Sequence, residues 1–115
     1  MAVAFDETEG AVLADRLRRF SRLLSANLLE AELRAVVARE RLHFEPDLLA
    51  PISWVLPIRT LAMELDTVLK AGYLRGADLW HVATALYVAP NPDQLEFVTL
   101  DDRQRTVAAA LGFQT

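Results

Sequence analysis

The segment Leu74-Arg75-Gly76-Ala77-Asp78-Leu79-Trp80-His81-Val82-Ala83-Thr84-Ala85-Leu86 constrains the fold more than any other. It predicts an apolar helix opened by Gly76 or Ala77, running to about Val88, with an acid and a histidine in its opening turns. The run Phe97-Val98-Thr99-Leu100-Asp101-Asp102 follows and predicts a buried strand over residues 96–100 that ends in carboxylates. An acid at a helix start and an acid beyond a strand end are how an α/β domain gathers oxygen ligands for a hard divalent cation.

The rest of the pattern alternates between the two periods. Residues 6–19 predict a helix, with Asp6 and Glu9 as a capping-box pair and Val12, Leu13 and Leu17 as its apolar stripe. Residues 20–25 form a short candidate strand. Residues 27–40 predict a second helix, with Asn27 and Glu30 as a capping box and Leu28, Leu29, Leu33, Val36 and Val37 on its buried face. A short helix is expected after Pro46, a strand over residues 52–56, and an amphipathic helix over residues 60–71 closed by Gly72. A loop over residues 90–93 precedes the last strand, and a final helix over residues 102–111 is stopped by Gly112. Strands alternating with helices predict a central parallel sheet covered on both faces, in one domain over residues 1–115.

Composition narrows the function classes. The 115 residues suffice for one core, and 53% hydrophobic with 24% charged residues is the balance of a globular chain. The sequence holds no cysteine, which excludes disulfides and thiolate metal sites. No apolar run is long enough to span a membrane, and residues 1–5 lack the basic start of a signal peptide, which suits a cytoplasmic protein. The net charge of −4 gives no bulk attraction to nucleic acid. Local clusters exist at Arg16, Arg18, Arg19 and Arg22, and at Arg103 and Arg105, where a solvated helix face is the plainer reading.

Three acids stand where chemistry would need them. Glu32 falls about 200° around its helix from Glu30, beside the apolar stripe, where a carboxylate needs a partner; a solvated helical Glu is the plainer reading. Asp78 lies in a first helical turn, where its charge also complements the helix dipole. Asp101 follows the apolar run directly, and either it or Asp102 is also the N-cap of the last helix. His81 has no second histidine near it in sequence and reads as a packing or hydrogen-bonding residue.

The segment Ser25-Ala26-Asn27-Leu28-Leu29-Glu30-Ala31-Glu32-Leu33-Arg34, the pattern Asp-x-x-His-x-Ala-x-Ala from Asp78, and the pattern Val-Thr-x-Asp ending at Asp101 together resemble the PIN-domain nucleases. The likeness is particularly to the VapC-type toxins of bacterial toxin–antitoxin pairs, over about residues 5–113. The resemblance implies a three-layer α/β/α fold and a metal-dependent endoribonuclease. In it Glu32, Asp78 and Asp101 hold Mg²⁺ or Mn²⁺ and carry catalysis, with Asp6 and Asp102 as secondary candidates and Thr99 as a residue that orients a water or a carboxylate. It also implies RNA as substrate, an antitoxin protein as partner and a homodimer. The chain departs from the family at its start, where a strand ending in a central acid is expected. Residues 1–5 with Asp6 are one candidate for that strand. The short spacing from Asp6 to Glu32 favours the other reading, in which the strand and its acid are missing and activity is weakened. Two alternatives stay open: an inactive PIN-like module that binds an antitoxin or a second copy of itself, and a metal-binding α/β domain acting on other phosphate esters.

Overall fold

The computed structural model describes residues 22–44 and 46–115. The expected helix over residues 6–19, Asp6, and Arg16, Arg18 and Arg19 lie outside them. The described chain is mixed α/β. It runs β1 (Leu23–Ala26), α1 (Leu28–Arg39), a 3₁₀ turn at Pro46–Leu48, β2 (Ile52–Val55), α2 (Ala62–Ala71), α3 (Gly76–Val88), a second 3₁₀ turn at Pro92–Gln94, and α4 (Asp102–Leu111).

β1 and β2 pair in parallel, with Leu23 opposite Ile52 and Ala26 opposite Val55. A parallel pair needs a crossover, and α1 supplies it. Leu29, Leu33 and Val37 are buried, four residues apart along one face of α1. The expected capping box at Asn27 does not form. Asn27 already has helical angles (φ −60°, ψ −23°) and its side chain makes no cap bond. Glu30 instead pairs with Arg34 one turn on, at 2.9 Å.

α3 is the centre of the domain. His81, Val82, Ala83 and Thr84 are all buried, and four consecutive buried residues occupy every side of a helix. α3 packs on β1, α2 and α4. Val82 and Ala83 join Leu61, Val68, Leu74, Phe97, Val107, Ala108 and Phe113 in the core.

The strand expected over residues 96–100 is reduced to one parallel bridge between Glu96 and Gln114. The Phe97 amide donates to the Gln114 carbonyl at 2.7 Å, and the Gln114 amide to the Leu95 carbonyl at 3.2 Å. Gly112 makes this return possible. Its φ of 107° lies in the left-handed region, where glycine carries no Cβ penalty, and it ends α4 as the sequence predicts. A cleft of about 430 Å³ separates β1 from residues 95–98; its walls include Leu23, Ala26, Thr84, Phe97 and Val98. Among the described residues, the extended segment thus has no strand neighbour on that side. Phe97 and Val98 are nonetheless buried, which is why their apolar pattern reads as strand.

α2 and α4 approach closely at Gly72. A Cβ placed there would lie 2.8 Å from Val107 Cγ2, inside any real carbon contact. Val107 is β-branched and 4% exposed, so it has little room to yield. Gly72→Ala is expected to lower unfolding stability by about 1–3 kcal/mol through overpacking, measured by urea melts. An unchanged midpoint would show that α2 and α4 can part freely.

Candidate functional site

The three predicted acids sit on three different elements, and two buried polar side chains link those elements. Asp101 precedes α4 with extended angles (φ −85°, ψ 121°), and its Oδ1 accepts the Gln104 amide at 2.8 Å. Of the two cap candidates, Asp101 is therefore the N-cap. Asp102 points away: its side chain is 95% exposed and pairs with Arg105 at 2.5 Å. The same arginine donates to the Thr99 carbonyl at 2.8 Å, so it braces the turn ahead of α4.

Thr99 is 2% exposed, and its hydroxyl is engaged twice. It accepts the Asp101 amide at 3.1 Å and donates to Gln104 Oε1 at 2.6 Å. A threonine hydroxyl bound to the amide two residues on closes a tight turn. Its contacts are with the turn and with Gln104. Gln104 is also 2% exposed, and its Nε2 donates to the Asp78 carbonyl at 3.3 Å. The turn carrying Asp101 is thereby tied to the first turn of α3. The Asp78 carboxylate itself is half-buried and has no hydrogen bond or ion pair among the described residues.

Glu32 reaches the same helix. Its Oε1 accepts from His81 Nε2 at 2.5 Å, one turn beyond Asp78. The carboxylate side chain is 41% exposed while the histidine side chain is 3% exposed. Glu32 thus has the partner that its place beside the apolar stripe demands, and His81 has a hydrogen-bonding role. Burial holds the His81 pKa below its ordinary value, against the opposing pull of the Glu32 hydrogen bond and of the Glu32 and Asp78 charges. Burial thus favours the neutral ring. A carboxylate only accepts, so the ring proton sits on Nε2. His81 Nδ1 is then a buried acceptor without a partner among the described residues, and the Thr84 hydroxyl one turn later is likewise unpaired among them.

The sequence pattern held a signal for Gln104 that the motif reading passed over. Gln104, Val107, Ala108 and Leu111 share the spacing of one helix face, and an amide on an apolar stripe requires buried partners. Among the described residues, no group of three or more His, Asp or Glu side chains is placed to hold one metal ion. None of the described helices is long and apolar enough to cross a membrane. No protein-family model, curated protein or solved structure matches the chain.

The depressed His81 pKa makes stability depend on pH in a defined direction. The unfolded chain takes up a proton at this histidine near pH 6.5, while the folded chain resists it. Stability is therefore full above that pH and falls as the pH drops below it, by at most about 1.4 kcal/mol per pH unit for one proton. Urea melts between pH 7.5 and 5.5 are expected to show this slope, and His81→Gln to flatten it. An equal slope in the variant would place the proton uptake elsewhere.

Proposed function

We propose that this chain is a PIN-like domain of the VapC toxin type, with a three-layer fold and a weak, Mg²⁺- or Mn²⁺-dependent endoribonuclease activity. The observation that carries this reading is the hydrogen-bonded path joining the three acids' elements. Glu32 meets His81 on α3, one turn from Asp78, and Gln104 joins the Asp78 carbonyl to the turn of Asp101.

The donor chemistry fits a hard divalent cation. All three side chains offer carboxylate oxygens, and one of them, Asp78, has no protein partner among the described residues. Mg²⁺ is commonly held by one or two carboxylates, with waters and substrate phosphates filling the other positions, so a cluster of three is not required. Asp78 and Asp101 are the main candidates to hold the ion, with Glu32 beside them. Asp6 is the candidate to add a further ligand, and it lies outside the described residues. A bound ion would supply an activated water and charge stabilisation at the phosphodiester. The chain's own residues set the orientation. His81 Nε2–H fixes one oxygen of Glu32 and leaves the other available. The Gln104 amide fixes Asp101 Oδ1 and leaves Oδ2 available.

The second reading, an inactive module that binds an antitoxin or a second copy, is favoured by the apolar surface around the β2–α2 connection. Leu56, Ile58 and Met63 are 66%, 92% and 78% exposed there. A structured RNA incubated with Mn²⁺ separates the two. The nuclease reading predicts slow internal cleavage that a chelator stops and that leaves small phosphate esters intact. Asp78→Asn and Asp101→Asn are expected to lower it about a hundredfold or more. Asparagine remains a good N-cap, so Asp101→Asn removes charge while the helix start survives. No cleavage by the parent chain, or cleavage indifferent to both substitutions, would contradict the nuclease reading.

A further inference from the structure

We propose that Gln104 is a positioning residue that sets the Asp78 and Asp101 carboxylates relative to one another. The inference rests on the metal-centre reading above. Its basis is that one side chain, almost wholly buried, is hydrogen-bonded both to the turn ahead of Asp101 and to the first turn of α3.

The orientation of the Gln104 amide follows from its neighbours. The Asp78 carbonyl can only accept, so the NH₂ group faces it, at 3.3 Å. The Thr99 hydroxyl already accepts the Asp101 amide, so its own proton is free to go to Gln104 Oε1, at 2.6 Å. Both ends of the amide are thus used, each by a partner on a different element. The backbone amide of the same residue holds Asp101 Oδ1 at 2.8 Å. Gln104 therefore aims one carboxylate through its main chain and anchors the helix turn of the other through its side chain.

An apolar residue would fill this position without any need for buried hydrogen bonds, as Val107 and Ala108 do on the same face. Hydrophobic contact is non-directional and would let α3 and α4 slide by fractions of an ångström. Two hydrogen bonds with defined donors and acceptors resist that sliding. Their geometry is what a pair of carboxylates on separate elements needs in order to bind one ion.

The test is Mn²⁺ affinity of the full chain, measured by titration calorimetry, in parent, Gln104→Met and Val107→Ala. Val107→Ala loosens the same helix face without touching the network. Gln104→Met is expected to weaken Mn²⁺ binding about tenfold or more. Val107→Ala is expected to lower the melting temperature while keeping the affinity within about twofold of the parent. If Gln104→Met does not fold, Thr99→Val breaks the same network from its other end and is expected to weaken Mn²⁺ binding as well. Unchanged affinity in the folded Gln104 or Thr99 variant would overturn the proposal. So would an equal loss in Val107→Ala, which would trace the effect to stability alone. A parent chain that binds no Mn²⁺ would overturn the metal-centre reading itself and leave Gln104 as a core hydrogen bond.

Discussion

The buried amide of Gln104 is the interaction on which the arrangement of the site depends. A neutral amide removed from water must find partners for both ends, or the desolvation of each group is left uncompensated. Here the partners are the Thr99 hydroxyl and the Asp78 carbonyl, on two segments that no local rule brings together. The chain leading into α4 and the opening turn of α3 are therefore placed by a directional contact in addition to apolar packing. Asp101, as N-cap of α4, inherits that placement.

A second buried polar contact lies one turn further along α3. The His81 ring lies inside the domain and its Nε2–H is held by the half-exposed Glu32. α1 and α3 are thereby joined at the turn that follows Asp78. The cost of the arrangement is visible in His81 Nδ1 and Thr84 Oγ1, two buried polar atoms without partners among the described residues. Both belong to the central helix. Thr84 also faces the cleft between β1 and residues 95–98, where neither wall has a strand partner across the gap among the described residues.

Features set by local chemistry were legible in the sequence. Gly76 opens α3, Asp101 and Gly112 bracket α4, and β1 and β2 fall near their expected places, because caps, glycines and apolar runs act over a few residues. Features set by distant partners were not. Residues 96–100 carry a strand's apolar pattern, yet strand pairing needs a neighbour, and only Gln114 supplies one among the described residues. Asn27 has the chemistry of a cap but adopts helical angles that turn its side chain from the free amides. For the site, the pairing of Glu32 with His81 was predictable only as a need for some partner. Gln104 was visible as an amide on an apolar face, without any sign that Asp78 was its target.

The most direct measurement of this coupling is a double-mutant cycle on unfolding free energy with Thr99→Val, Gln104→Met and the combined variant. If the two side chains act as one unit that ties α4 to α3, the second substitution adds little to the first. The interaction term is then expected to be about 1 kcal/mol or more. Additivity within about 0.5 kcal/mol would contradict it, because the two residues would then stabilise the fold independently and Gln104 would place nothing.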